Sequence, residues 1–74
     1  MDIAGLDYVV RPLAEHGACA AFSTIDDAIE WATVRSRLKP ADTYYLTTQD
    51  GTPLGWAWEG GRILVADGVW QPPA

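Results

Sequence analysis

Thr24-Ile25-Asp26-Asp27-Ala28-Ile29-Glu30-Trp31-Ala32, residues 24–32, decides the fold class of this chain. Thr24 is a favoured helix N-cap, and Asp27 three residues on makes an approximate capping box. Asp26, Asp27 and Glu30 fall in or near the first turn, where the helix dipole favours negative charge. Ile25, Ala28, Ile29 and Ala32 keep the i, i+3, i+4, i+7 spacing of one buried stripe. Arg35, Arg37 and Lys39 lie toward the C-terminal end, where positive charge is favourable. Pro40 stops the helix, a residue or two before itself.

Outward from this helix the pattern changes to strands. Tyr8-Val9-Val10-Arg11 is rich in strand formers, and Pro12 ends it. Residues 12–17 read as a loop or a single helical turn. Ala18 to Phe22 reads as a second strand, with Ala18, Ala20 and Phe22 on one face and Cys19 and Ala21 on the other. Beyond the helix, Tyr44 to Gln49 reads as a strand, followed by an Asp50-Gly51 turn. Leu54 to Glu59 follows, with Pro53 at its start. Gly60-Gly61 turns the chain into Arg62 to Ala66. Asp67-Gly68 turns it again, leaving Val69-Trp70 as a short return and 71–74 as a frayed tail. The sum is ββαβββ. It predicts a two-layer α+β fold: an antiparallel sheet of four to five strands with one α-helix packed on one face.

Seventy-four residues make one domain, 1–74. A chain of this length buries only about 60–65% of the surface its unfolded form exposes. It has little room for a deep substrate cavity beside a core, which argues against an enzyme. Ten acids against five bases leave a net charge of −5. Such a chain is repelled by phosphate backbones and by anionic membranes, and it favours basic protein surfaces. Net negative charge also keeps a small protein soluble, and composition alone does not separate the two roles. Cys19 is the only cysteine, so no intramolecular disulfide forms, and with His16 it is the only soft ligand. The reading is therefore a reducing cytosol, no metal and no cofactor. Residues 1–10 carry two acids and no base, unlike a secretory leader. No apolar run approaches the ~18 residues of a membrane span.

Candidate contact residues come from two places. On a helical wheel Asp26, Asp27 and Glu30 lie opposite the apolar stripe, Trp31 falls at its flank and Val34 well away from it. This face is either a solvated acidic surface or, with Trp31 and Val34, a patch that meets a basic partner. The second place is the tryptophans. Four occur in the chain, three of them in the last twenty residues. Leu54, Trp56 and Trp58 share one strand face. The small residues Ala28 and Ala32 on the helix suit a large Trp56 beneath them. Trp58 and Trp70 have weaker claims on the core, and at least one of them is expected to be part-exposed and free to anchor a partner. Base stacking on these rings would need a cationic track, and five dispersed bases among ten acids do not provide one. Cys19 with His16 could form a thiolate nucleophile, but no orienting group or oxyanion turn accompanies them. Gly60-Gly61-Arg62 precedes no helix and is not a phosphate loop.

In outline the whole chain resembles the small acidic inhibitor proteins encoded by bacteriophages and mobile elements, the anti-CRISPR proteins among them. The resemblance is carried by one short α+β domain without cofactor residues. It includes the acid-rich helix start Thr24 to Trp31 and the hairpins through Asp50-Gly51 and Gly60-Gly61. It implies tight binding to a nucleic-acid-handling complex, by filling a basic groove with acidic side chains or by locking a conformation. The expectation is a non-catalytic, cytoplasmic inhibitor, in a host bacterial cytosol if phage-encoded. It binds a protein partner with a basic surface and neither nucleic acid nor membrane directly. The expected contact residues are Asp26, Asp27, Glu30, Trp31, Val34, Trp58 and Trp70. The alternative is a self-associating structural or accessory module, a homodimer rather than a monomer, paired through an edge strand such as Tyr44 to Gln49 or through the tryptophan face.

Overall fold

A computed structural model describes residues 5–14 and 20–71. Ala18, His16, Cys19 and the tail residues 72–74 lie outside the described residues, and with them the beginning of the second expected strand and the cysteine–histidine pair. The elements in chain order are β1 (Tyr8–Pro12), β2 (Ala20–Phe22), α1 (Ile25–Leu38), β3 (Thr43–Thr47), β4 (Pro53–Glu59) and β5 (Arg62–Val65). They form an α+β fold, one helix packed on a five-stranded sheet of order β2-β1-β3-β4-β5. Every neighbouring pair is antiparallel.

The helix forms for the local reasons its sequence gives. The Thr24 hydroxyl accepts the Asp27 N–H at 3.3 Å and so satisfies one of the orphan donors of the first turn. At the other end the Lys39 N–H donates to the Arg35 carbonyl at 3.1 Å before Pro40. Ala28 and Ala32 are fully buried, and Ile25 and Ile29 are half-buried against the core. The stripe runs one step further than apolar counting suggests. Ser36, four residues after Ala32, is also fully buried. Its hydroxyl donates to the Thr33 carbonyl and accepts the Gly61 N–H, both at 3.0 Å, which ties the helix to the β4–β5 turn.

Register determines what lies beneath the helix. Ala20, Val10 and Leu46 stand opposite one another across β2, β1 and β3. Pro12, Tyr44, Trp58 and Ile63 make a second row across β1, β3, β4 and β5. Directly paired residues share a face, so these rows floor the helix layer. Val10, Tyr44, Leu46 and Trp58 join Ala28 and Ala32 as the fully buried core.

Three expectations are corrected here. Trp58, expected to have a weak claim on the core and to serve as an anchor, has no accessible surface, and Trp56 is half-buried instead. The cause is register: Trp58 falls opposite Tyr44 in mid-sheet, while the ladder shifts between Tyr45 and Thr47. That shift sets Leu54 to Trp56 against Leu46 alone, so β4 bulges there and carries Trp56 outward. Tyr44 to Gln49, expected as an edge, is the central region of the sheet, because α1 carries the chain across β1 and sets β3 down on its far side. The edges are β2 and β5. Val69-Trp70 adds no strand. After the bend at Asp67, Gly68 crosses back over β4, where its N–H donates to the Gly55 carbonyl at 3.0 Å.

That crossing is a backbone-to-backbone contact. Gly55 has φ +82, and a Cβ built on it would lie 2.1 Å from the Gly68 carbonyl oxygen. No side chain fits there, and the conformation itself disfavours L-residues. Gly55→Ala is therefore expected to cost more than about 2 kcal/mol, from the left-handed conformation and displacement of the C-terminal segment together. Gly51→Ala, with φ +94 but nothing within 4 Å, is expected to cost about 1 kcal/mol, from backbone strain alone. Urea unfolding of the two variants checks the ordering, and equal losses would refute the packing argument.

Candidate functional site

Two residues, Ser23 and Thr24, separate the end of β2 from the start of α1. A link this short holds Phe22 beside the first turns of the helix. Its ring lies 5.8 Å from that of Trp31, centroid to centroid, at an interplanar angle of 50°. Along the helix, Asp27, Glu30, Trp31 and Val34 have the spacing i, i+3, i+4, i+7, so they form a second stripe on the side away from the buried one, with Trp31 at the flank between the two. These four and Phe22 line a groove of about 400 Å³. Its floor is apolar and its rim carries two exposed carboxylates. Trp31 is half-buried and Val34 is 47% exposed. The guanidinium carbon of Arg35 lies 5.9 Å from the Trp31 ring centroid, within cation–π range.

Four of the seven expected contact residues therefore meet in one place: Asp27, Glu30, Trp31 and Val34. Asp26 is exposed on the same helix but does not line the groove. Trp58 is in the core. Trp70 lies on the reverse face of the sheet, half-buried, its ring 5.1 Å from that of Tyr45. Tyr45 stands opposite Ala57, one residue out of phase with the core pair Tyr44 and Trp58, which places it away from the helix. Phe22 is the groove residue that wheel analysis of the helix missed. The signal was available in the short β2–α1 link and in the face Phe22 shares with Ala20.

Two other clefts among the described residues are different in kind. The C-terminal crossing leaves a shallow cleft between 52–55 and 68–71, against Trp70. At the β3–β4 turn, Gly5, Asp7, Thr48, Gln49, Asp50 and Thr52 line a polar cleft of about 560 Å³. Asp50 is the hub of that turn. It accepts the Thr48 hydroxyl, the Thr52 hydroxyl at 3.0 Å and the Thr52 N–H at 3.2 Å. These bonds, that from Thr48 foremost, hold its carboxyl below the ordinary 3.8. They also commit its Oδ1 to the turn.

Of the bases, Arg35 lies at the groove against the Trp31 ring, while Arg11 and Arg37 are held elsewhere. Arg11 is held on the reverse face, its Nε donating to Thr47 Oγ1 at 2.8 Å and its Nη2 to the Gln49 carbonyl at 3.3 Å. Arg37 packs against Gly61, where an added Cβ would meet the Arg37 Cβ at 3.1 Å. The basic last turn of α1 therefore lies beside Arg62, whose cross-strand neighbour is Glu59. Among the described residues no group of three His, Cys, Asp or Glu side chains could hold a metal ion. No helix there is long and apolar enough to cross a membrane. Comparison of the chain with protein-family models, with curated proteins and with solved structures finds no match.

Because the folded pKa of Asp50 is lowered, its contribution to stability is complete above the unfolded value of 3.8 and is lost as pH falls through the folded value. Asp50→Ala should lower the unfolding midpoint at neutral pH, and the deficit should shrink well below pH 3.8. A deficit of the same size at both pH values would show that the charge of Asp50 contributes nothing.

Proposed function

We propose that this chain is a non-catalytic binding protein. It docks through the acidic groove of α1 on a basic, nucleic-acid-handling surface of a larger protein complex and inhibits that complex by occupying the surface, as the resemblance to anti-CRISPR-type phage inhibitors implies. The observation that carries the reading is the convergence of Asp27, Glu30, Trp31 and Val34 on one groove with Phe22. Carboxylates on a rigid helix pair with Arg or Lys at fixed spacing, and a part-exposed aromatic beside them supplies a desolvated contact. Asp26, outside the groove, contributes to steering rather than to the contact, since exposed charge acts chiefly on the rate of encounter. The net charge of −5 supports a basic protein as partner rather than nucleic acid itself.

Self-association is the second reading, and one observation favours it. Among the described residues β5 is an edge strand, and its Ile63 and Leu64 are 45% and 50% exposed. Edge pairing of two copies would run through this strand.

The combined substitution Asp26→Lys, Asp27→Lys and Glu30→Lys tests the first reading. The tagged chain and its variant are used to recover partners from bacterial lysate at low and high salt. The expected result is a nucleic-acid-binding complex captured by the wild-type chain, released by salt, and lost with the variant while circular dichroism remains native. Capture unchanged by the substitution would overturn the groove as the contact. Sizing of the wild-type chain at dimer mass, with no other protein recovered, would favour the β5 reading.

A further inference from the structure

The groove beside Trp31 combines three features that together select a guanidinium. Its floor is apolar and aromatic, built from Phe22, Trp31 and Val34. Its rim holds Asp27 and Glu30 one helical turn apart, and among the described residues no hydrogen bond or ion pair engages either carboxylate. The Trp31 ring already holds one guanidinium, that of Arg35, with the carbon 5.9 Å from its centroid. We infer that the groove receives an arginine side chain of the protein partner, in preference to lysine. This inference rests on the binding function proposed above and names the chemistry that the groove reads.

The physical case is one of shape and hydration. A guanidinium is planar, stacks on an indole face and gives up its water more readily than an ammonium ion does. Its fork of N–H donors meets carboxylates two bonds at a time, which an ammonium cannot do. An exposed acidic face without an aromatic floor would take either cation, because point charges in water differ little. The apolar floor makes the difference: the part of the ligand over Trp31 is desolvated, and there the weaker hydration of arginine favours it.

The test is titration of the full chain with nona-arginine and with nona-lysine peptides of equal charge, followed by tryptophan fluorescence and amide chemical shifts. The expected result is nona-arginine binding about fivefold more tightly, with the largest shifts at Phe22, Glu30, Trp31 and Val34. Trp31→Leu keeps the floor apolar and is expected to weaken nona-arginine more than nona-lysine, so that the two affinities converge. Should that variant not fold, the exposed pair Asp27→Asn and Glu30→Gln is expected to weaken both peptides and to abolish the shifts at the groove. Equal affinities with shifts at the groove would overturn the arginine preference and leave the basic-partner reading standing. No binding of either peptide, or shifts confined to the β3–β4 turn or the C-terminal crossing, would overturn both.

Discussion

The burial of Trp58 beneath a helix face of small residues is the constraint on which the rest of this structure depends. The indole has no accessible surface and shares the core with Val10, Ala28, Ala32, Tyr44 and Leu46. Truncating such a side chain costs about 3–5 kcal/mol. A core in a chain this short supplies about the same amount of net stability. One residue thus accounts for a contribution as large as the margin by which the chain stays folded. The alanines of α1 follow from it, because a large ring on the sheet needs a small surface opposite.

Placing one tryptophan in the centre has consequences for the others. Trp56 stacks on Trp58 with ring centroids 6.0 Å apart and remains half-buried. Between Pro53 and Trp56 the strand bulges, and Gly55 takes the left-handed conformation that lets the Gly68 backbone approach. The crossing segment then brings Trp70 to Tyr45 on the reverse face. Three of the four tryptophans are accounted for by this chain of packing, from core to bulge to crossing. Trp31 stands apart: it packs on Phe22 at the margin of the core and keeps part of its surface in the groove.

Much of this was legible in the sequence, for physical reasons that differ by element. The helix was readable to within a residue because Thr24, the alanine–isoleucine stripe and Pro40 are local signals. The hairpins through Asp50-Gly51 and Gly60-Gly61 were readable because turn chemistry is local too. Which tryptophan enters the core was not, because register across β3 and β4 decides it, and a bulge hidden in Gly55 shifts that register. The central position of β3 was likewise closed to local reasoning, since strand order depends on where α1 sets the chain down. At the site, the wheel grouped Asp26, Asp27 and Glu30 with Trp31 and Val34 as one patch, and the spacing 27, 30, 31, 34 is the part of it that lines the groove, leaving Asp26 outside. The role of Phe22 needed the third dimension, although the two-residue link to α1 already limited where it could lie.

Charge completes the argument about the groove. The acids of α1 sit at its N-terminal end, where they stabilise the helix through its dipole, and the bases sit at its C-terminal end for the same reason. Helix stability alone therefore explains why acids are there. It does not explain why an indole and a half-exposed valine follow two of them along one stripe, next to a phenylalanine from the neighbouring strand. An exposed helix face selected only for solubility gains nothing from Val34 at 47% exposure. Isolated apolar residues at a surface need no explanation, but three of them lining one groove beneath two exposed carboxylates form a contiguous feature. The basic side chain proposed above as its occupant is apolar along its stem and cationic at its end, and so matches that feature.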